Sequence, residues 1–163
     1  MSVSDRHDGL GWLLAALVLC VAALAAALIS QHGFDMQPCP WCVLQRLVFV
    51  AIALAALMGL AWRRTGAALM LLLAAGGMGA ALWQHFVAAA AESCNLTWPD
   101  RFMAALKLDS LLPEVFQARA SCAEAAGIKL FGLPYEFWSL GLFALLAFAA
   151  LRVMRSGRRP RYR

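Results

Sequence analysis

Two cysteines with two residues between them, Cys39 and Cys42, stand in the stretch Pro38-Cys39-Pro40-Trp41-Cys42-Val43-Leu44-Gln45-Arg46, where a polar loop becomes a long apolar run. Thiols so close can close a small disulfide ring, and strained or exposed rings of that kind are the exchange-active ones. Cys42 is expected in the first turn of the following helix, where unpaired backbone N–H groups and the helix dipole favour a thiolate. Arg46, four residues on, shares the helical face of Cys42 and brings a fixed positive charge towards its sulfur. The competing reading is half of a zinc site, or a structural disulfide with a snorkelling arginine at the helix start. No second Cys-x-x-Cys and no His-x-x-x-His completes a metal tetrahedron, which favours redox chemistry.

A second thiol pair, Cys94 and Cys122, encloses a loop of about 29 residues. Taken alone it could be a structural staple worth roughly 3.6 kcal/mol in the chain-entropy model. Ser121-x-x-Glu124 reads as a capping box and Gly127 as a stop, which would set Cys122 at a helix N-terminus and activate it. The fifth cysteine, Cys20, lies in mid-run without a partner and is expected to pack as a small hydrophobe.

The elements that must hold these thiols are set by the solvent. Hydrophobic residues make up 63% of the 163 and charged residues 14%, and the mean hydropathy is +0.72, too little polar surface to cover a soluble globule. The chain is expected to be all-α, a four-helix transmembrane bundle forming a single integral-membrane domain over residues 1–163. Its spans are expected at about 10–29, 43–62, 67–87 and 137–153, each roughly long enough to cross a hydrocarbon core. A cleaved signal peptide fits the first span poorly, because its apolar region is too long and Arg6 is offset by Asp5 and Asp8. The net charge of +5 therefore concerns topology and not nucleic acid. Arg63-Arg64 and the C-terminal Arg152, Arg155, Arg158, Arg159, Arg161 and Arg163 put both termini and the middle turn in the cytoplasm by the positive-inside rule. Both cysteine pairs, in loops at about 30–42 and 88–136, then face the oxidising side.

Three further features stand out. The run Ala75-Gly76-Gly77-Met78-Gly79-Ala80 permits close helix approach in span three. Gln84 and His85 are polar groups near the end of that span, where polar residues are functional candidates by default. Pairing His85 with His32 as axial haem ligands finds no other support. In the long loop, Phe102, Met103 and Leu106 suggest a short amphipathic helix, lying on the membrane surface or packed on the bundle top.

Pro-Cys-Pro-Trp-Cys-x-x-Gln-Arg opening span two, the spaced pair Cys94 and Cys122, Leu112-Pro113-Glu114-Val115-Phe116 before Cys122, and four spans covering nearly the whole chain together resemble the disulfide bond formation protein B (DsbB) family. The resemblance implies a multi-pass enzyme of the bacterial inner membrane, with both cysteine pairs periplasmic. Such an enzyme re-oxidises the periplasmic dithiol oxidase DsbA and passes two electrons to ubiquinone or menaquinone. Carried over by position, Cys39 and Cys42 are the quinone-side pair and Cys94 and Cys122 the pair facing DsbA. Arg46, Gln45 and, less closely, His85 become quinone-site residues. The energetics agree: a structural disulfide lies below about −300 mV and DsbA near −120 mV, a gap of roughly 8 kcal/mol for two electrons that only a stronger acceptor can close. The chain carries no haem motif or dinucleotide fingerprint, so a lipid-soluble quinone beside Cys42 and Arg46 is the expected acceptor. An outward reductant carrier would need thiols reachable from both sides, and an inert scaffold gives no reason for Arg46 beside Cys42.

Overall fold

The computed structural model describes residues 3–90 and 97–156, with side chains from residue 8 onward. Cys94 and the arginines beyond Ser156 lie outside the described residues. Four long helices are long and apolar enough to cross a membrane: α1 (Val3–Gly33), α2 (Pro40–Ala61), α3 (Arg63–Phe86) and α8 (Tyr135–Ser156). Between α3 and α8 run the short helices α4 (Trp98–Ala105), α5 (Leu108–Leu111), α6 (Pro113–Phe116) and α7 (Cys122–Ala126), followed by strands β1 (Lys129–Leu130) and β2 (Leu133–Pro134). The fold is an all-α bundle, and its one ribbon is a two-stranded antiparallel turn whose Gly132 sits at φ +82°. Left-handed backbone of that kind favours glycine, and this turn lets the chain reverse into Pro134 and start α8.

A single apolar core ties the spans together. Leu13, Cys20, Ile52, Met70, Phe143 and Leu146 are among its most buried members, and Phe49 stacks on Phe143 with ring centroids 4.3 Å apart. Cys20 is fully buried there, as a small hydrophobe. Helices α2 and α3 are joined by Trp62 alone and touch backbone to backbone: a methyl group on Gly66 would run into Gly59. Gly77 gives room to the Phe143 ring, which would lie 2.6 Å from an added Cβ, whereas Gly76 and Gly79 face open space. Successive positions turn by about 100° on a helix, so only one residue of such a run can meet a given neighbour.

The bundle's two ends differ in charge. At one end Arg63 lies against Gly9, and Arg152 stacks over Trp12 at 5.2 Å, so the α2–α3 turn and the end of α8 bring these two arginines against the first part of α1. At the other end the loop helices cover the start of α2. Met103 of α4 is buried against Val43 and Phe116, which fixes α4 to the bundle top, while Trp98 stacks on Phe102 at 5.3 Å on the exposed side with Leu106.

Candidate active site

Cys39 caps α2. Its backbone is extended (φ −83°, ψ 167°), its sulfur accepts the Cys42 N–H at 3.3 Å, and Pro40 follows as the first helical residue, where no N–H is required. The one-turn closure brings the two sulfurs to 2.7 Å. Cys42 thus stands in the first helical turn, where the uncapped N–H groups favour negative charge. Gln84 Nε2 donates to its sulfur at 3.3 Å, and Gln84 Oε1 in turn accepts from Gln45 Nε2 at 2.8 Å. Both glutamines are buried, so α3 supplies a thiolate donor whose own orientation is locked by α2.

Cys122 opens α7. Ser121 and Glu124 form a reciprocal capping box, in which the Ser121 N–H and hydroxyl hold the Glu124 carboxyl below the usual range. The backbone just before it is pinned to the backbone just before Cys39: Arg119 N and Ala120 N both donate to the Pro38 carbonyl, at 3.0 and 3.3 Å. Cys122 therefore packs on Cys39 in one small cluster with Ala125, Trp41 and Cys42 around it. The Cys39 thiol donates to the Cys122 sulfur, which pushes Cys39 well above the usual thiol range and holds Cys122 below it. In the reduced protein, alkylation of Cys122 should persist to lower pH than that of an ordinary thiol, because a lowered pKa leaves more thiolate there. Cys39 should react only at higher pH. Mass spectrometry of iodoacetamide adducts across a pH series checks the order, and an inverted order would contradict the hydrogen-bond direction.

Arg46 is buried and makes three hydrogen bonds: Nη1 to Gln31 Oε1 at 2.7 Å and to the Val115 carbonyl at 2.9 Å, and Nη2 to the Ala27 carbonyl at 3.2 Å. It clamps α1 and α6 to α2. Gln31, also buried, passes its own Nε2 to the Glu114 carbonyl at 3.2 Å. The sulfur contact expected of Arg46 is made by Gln84, and Arg46 faces the same space from a turn further along.

That space is a cavity of about 200 Å³ between the spans, with Cys42, Gln45, Arg46 and Gln84 at one side and apolar Phe49 and Leu142 among its other walls. For comparison, an engineered cavity of about 150 Å³ takes up benzene, so one ring fits. Guanidinium carries five N–H donors, so Arg46 keeps some for an occupant, and two lining acceptors, Gln37 Oε1 and Glu136 Oε2, are buried without a partner. An apolar ring bearing polar oxygens matches such a lining.

His85 stands apart from the cavity lining. Its Nδ1 meets Glu136 Oε1 at 2.7 Å, its ring packs edge-on against Phe86 and Phe137, and about a third of its side chain is exposed. His32 lies 3.6 Å from Glu114 while His85 is engaged with Glu136, and no cluster of three metal-ligating side chains exists among the described residues. Gln31 and Glu136 went unnoticed in the sequence. Both stand at the edge of an apolar run, where a polar side chain looks like an interfacial one, and only tertiary packing turns them inward.

Comparison with known proteins gives a concordant result. The family described as disulfide bond formation protein DsbB matches residues 9–153. A protein named disulfide bond formation protein B from Aromatoleum aromaticum is 36% identical over 146 residues, covering 84% of this chain and 87% of the relative. One of the same name from Herminiimonas arsenicoxydans is 35% identical, covering 83% and 88%. Disulfide bond formation protein B 1 of Pseudomonas aeruginosa is 34% identical over 152 residues, covering 87% and 93%.

Proposed function

The chain belongs to the DsbB family of disulfide-generating membrane oxidoreductases, and on that premise we propose that it re-oxidises a periplasmic DsbA-type dithiol oxidase and hands the electrons to a membrane quinone, ubiquinone or menaquinone. The observation that carries this reading is the line of sulfurs: Cys122 on Cys39, Cys39 on Cys42, and Cys42 on the wall of a ring-sized cavity shared with Arg46.

The partner's thiolate attacks the Cys94–Cys122 disulfide, and its second thiol then releases itself as a disulfide, leaving Cys94 and Cys122 reduced. Cys122, with its depressed pKa, attacks the Cys39 sulfur of the Cys39–Cys42 disulfide, Cys94 afterwards re-forms its bond to Cys122 with release of Cys39 as a thiol, and the first of these attacks expels Cys42 as a thiolate. That leaving group is stabilised by the first-turn N–H groups of α2 and by Gln84 Nε2. A quinone bound in the cavity supplies the oxidant, accepting two electrons with two protons. Gln45, Gln84 and Arg46 would hold it, and the buried guanidinium stabilises negative charge developing beside Cys42. Replacing Gln84 by Leu removes the sulfur's donor and leaves Gln45 unpaired. Its expected effect is a fall of roughly 10- to 150-fold in turnover, one lost hydrogen bond to a charged group being worth roughly 1.5 to 3 kcal/mol. Stopped-flow kinetics of the purified variant would show whether the loss falls on the Cys42 step, and an unchanged rate there would remove Gln84 from it.

Gathering of Arg63, Arg64, Arg152 and Arg155 at the end remote from the cysteines supports a cytoplasmic basic end and a periplasmic thiol end. Maleimide added outside spheroplasts after reduction should label Cys94 or Cys122 and leave the core residue Cys20 unmodified. Labelling that requires lysis would reverse the orientation. The function itself is tested by mixing purified protein with reduced DsbA and a soluble quinone and following quinone absorbance. Absence of quinone reduction under those conditions rejects the reading.

A further inference from the structure

Glu136 has no part in the sulfur chemistry, yet it is 2% exposed, in the first turn of a membrane-spanning helix, and lines the cavity that holds Cys42 and Arg46. Ionisable groups in such positions are expensive to bury and are kept for a task. Its two oxygens are in different situations. Oε1 is bonded to His85 Nδ1 at 2.7 Å, while Oε2 is buried with no partner among the described residues. His85, one-third exposed, reaches the outside of the bundle from the other face of the same contact.

We propose that Glu136 is the proton-carrying group of the cavity, giving a proton from Oε2 to an oxygen of the bound quinone and recovering it through Oε1 from His85, which is recharged from outside water. The inference rests on the quinone reading above. The balance is simple. Closing the Cys39–Cys42 disulfide releases two electrons and two thiol protons, and reduction of a quinone to the quinol consumes two electrons and two protons. Glu136 supplies one of those protons and is recharged through His85 Nδ1, a thiol supplies the other, and the remaining thiol proton returns to water, so no further reactant is required. The remaining titratable groups around the carboxyl are Cys42 and Arg46 from α2, Cys122 from α7, which the Glu136 charge disfavours as thiolate, and Tyr135 of its own helix. Tyr135 is engaged with Ser30 of α1 at 3.2 Å, and Arg46 is committed as a fixed charge, which leaves Glu136 and His85 as the exchanging pair. Lys129, on the neighbouring ribbon, is exposed.

The experiment uses full-length protein in lipid nanodiscs with decylubiquinone as the probe. Redox-triggered infrared difference spectra are recorded for wild type, Glu136→Gln and Glu136→Asp, alongside turnover from pH 5 to 9. The wild type should show a carboxyl C=O band that changes on reduction, lost in Glu136→Gln and shifted in Glu136→Asp. Turnover in Glu136→Gln should fall by about 10²-fold, the usual contribution of a positioned acid, although the amide keeps the size and can still bond His85. His85→Ala should slow as well and be restored by added imidazole, which a purely structural histidine would not be. A folded Glu136→Gln that retains the wild-type band and pH profile, in a wild type that does reduce decylubiquinone, overturns the proton role alone. A wild type that reduces none of the probe overturns the quinone reading and this inference with it.

Discussion

Cys122→Ser should stop turnover with reduced DsbA, and its lone Cys94 thiolate should open the disulfide of oxidised DsbA to leave a covalent adduct held through Cys94. Exchange must pass through a mixed disulfide, and the sulfur that passes electrons on towards Cys39 is the one removed. Among the described residues Cys122 is the loop thiol in contact with the buried Cys39, which fits it as the relay from Cys94. With quinone present, the residual rate should be lower by roughly 10³-fold or more, since covalent relays lose their function as units. Non-reducing electrophoresis shows the adduct directly. Cys39→Ser should behave differently, leaving Cys94 and Cys122 able to release DsbA once but unable to be re-oxidised. If neither loop-cysteine variant ever yields an adduct, the second pair is a staple.

Removing Arg46 should act twice. Arg46→Ala leaves Gln31 Oε1 and the Val115 carbonyl without this donor in a buried place, at about 1 to 3 kcal/mol for each acceptor that water cannot reach, while the Ala27 carbonyl keeps the Ser30 hydroxyl. A lowered Tm is therefore expected. On whatever protein folds, the lost charge should weaken quinone use by roughly 10- to 150-fold, the equivalent of one charge-assisted hydrogen bond. Arg46→Lys keeps the charge but cannot span three acceptors with a planar fork, so it should recover more of the quinone kinetics than of the Tm. Turnover against quinone concentration, measured with equal folded protein, separates the two effects. Unchanged kinetics in Arg46→Ala alongside a lowered Tm would make the residue a clamp and nothing more.

Geometry carried by local spacing was legible in the sequence. Cys39 and Cys42 flank Pro40 within one turn, so their geometry follows from the helix start, and Ser121-x-x-Glu124 announces the start of α7 in the same way. The four spans follow from composition, because only long apolar helices satisfy their own backbone in lipid. What depended on a distant element was less visible. The sulfur donor is Gln84, 42 residues from Cys42, while Arg46, its neighbour along the helix, reaches instead for α1 and α6. The most intimate helix contact is Gly59 on Gly66 across the Trp62 turn, where neither glycine lies in the conspicuous glycine run. The apolar trio in the long loop also divides: Met103 goes inward, and Phe102 and Leu106 remain outside.

On the proposed relay, the two hydrogen bonds from Arg119 and Ala120 to the Pro38 carbonyl would also set how fast electrons move between the pairs. Two thiols on separate flexible loops meet at an effective concentration of about millimolar, set by the chain between them. Two thiols on segments already stapled together meet as an oriented intramolecular pair, for which effective molarities of about 10⁵ M and above are attainable. Cys122 needs only to turn its side chain to change partners. Lengthening the segment between Arg119 and Cys122 would dilute that encounter without altering any sulfur, so the relay would slow while the partner-facing exchange at Cys94 kept its rate.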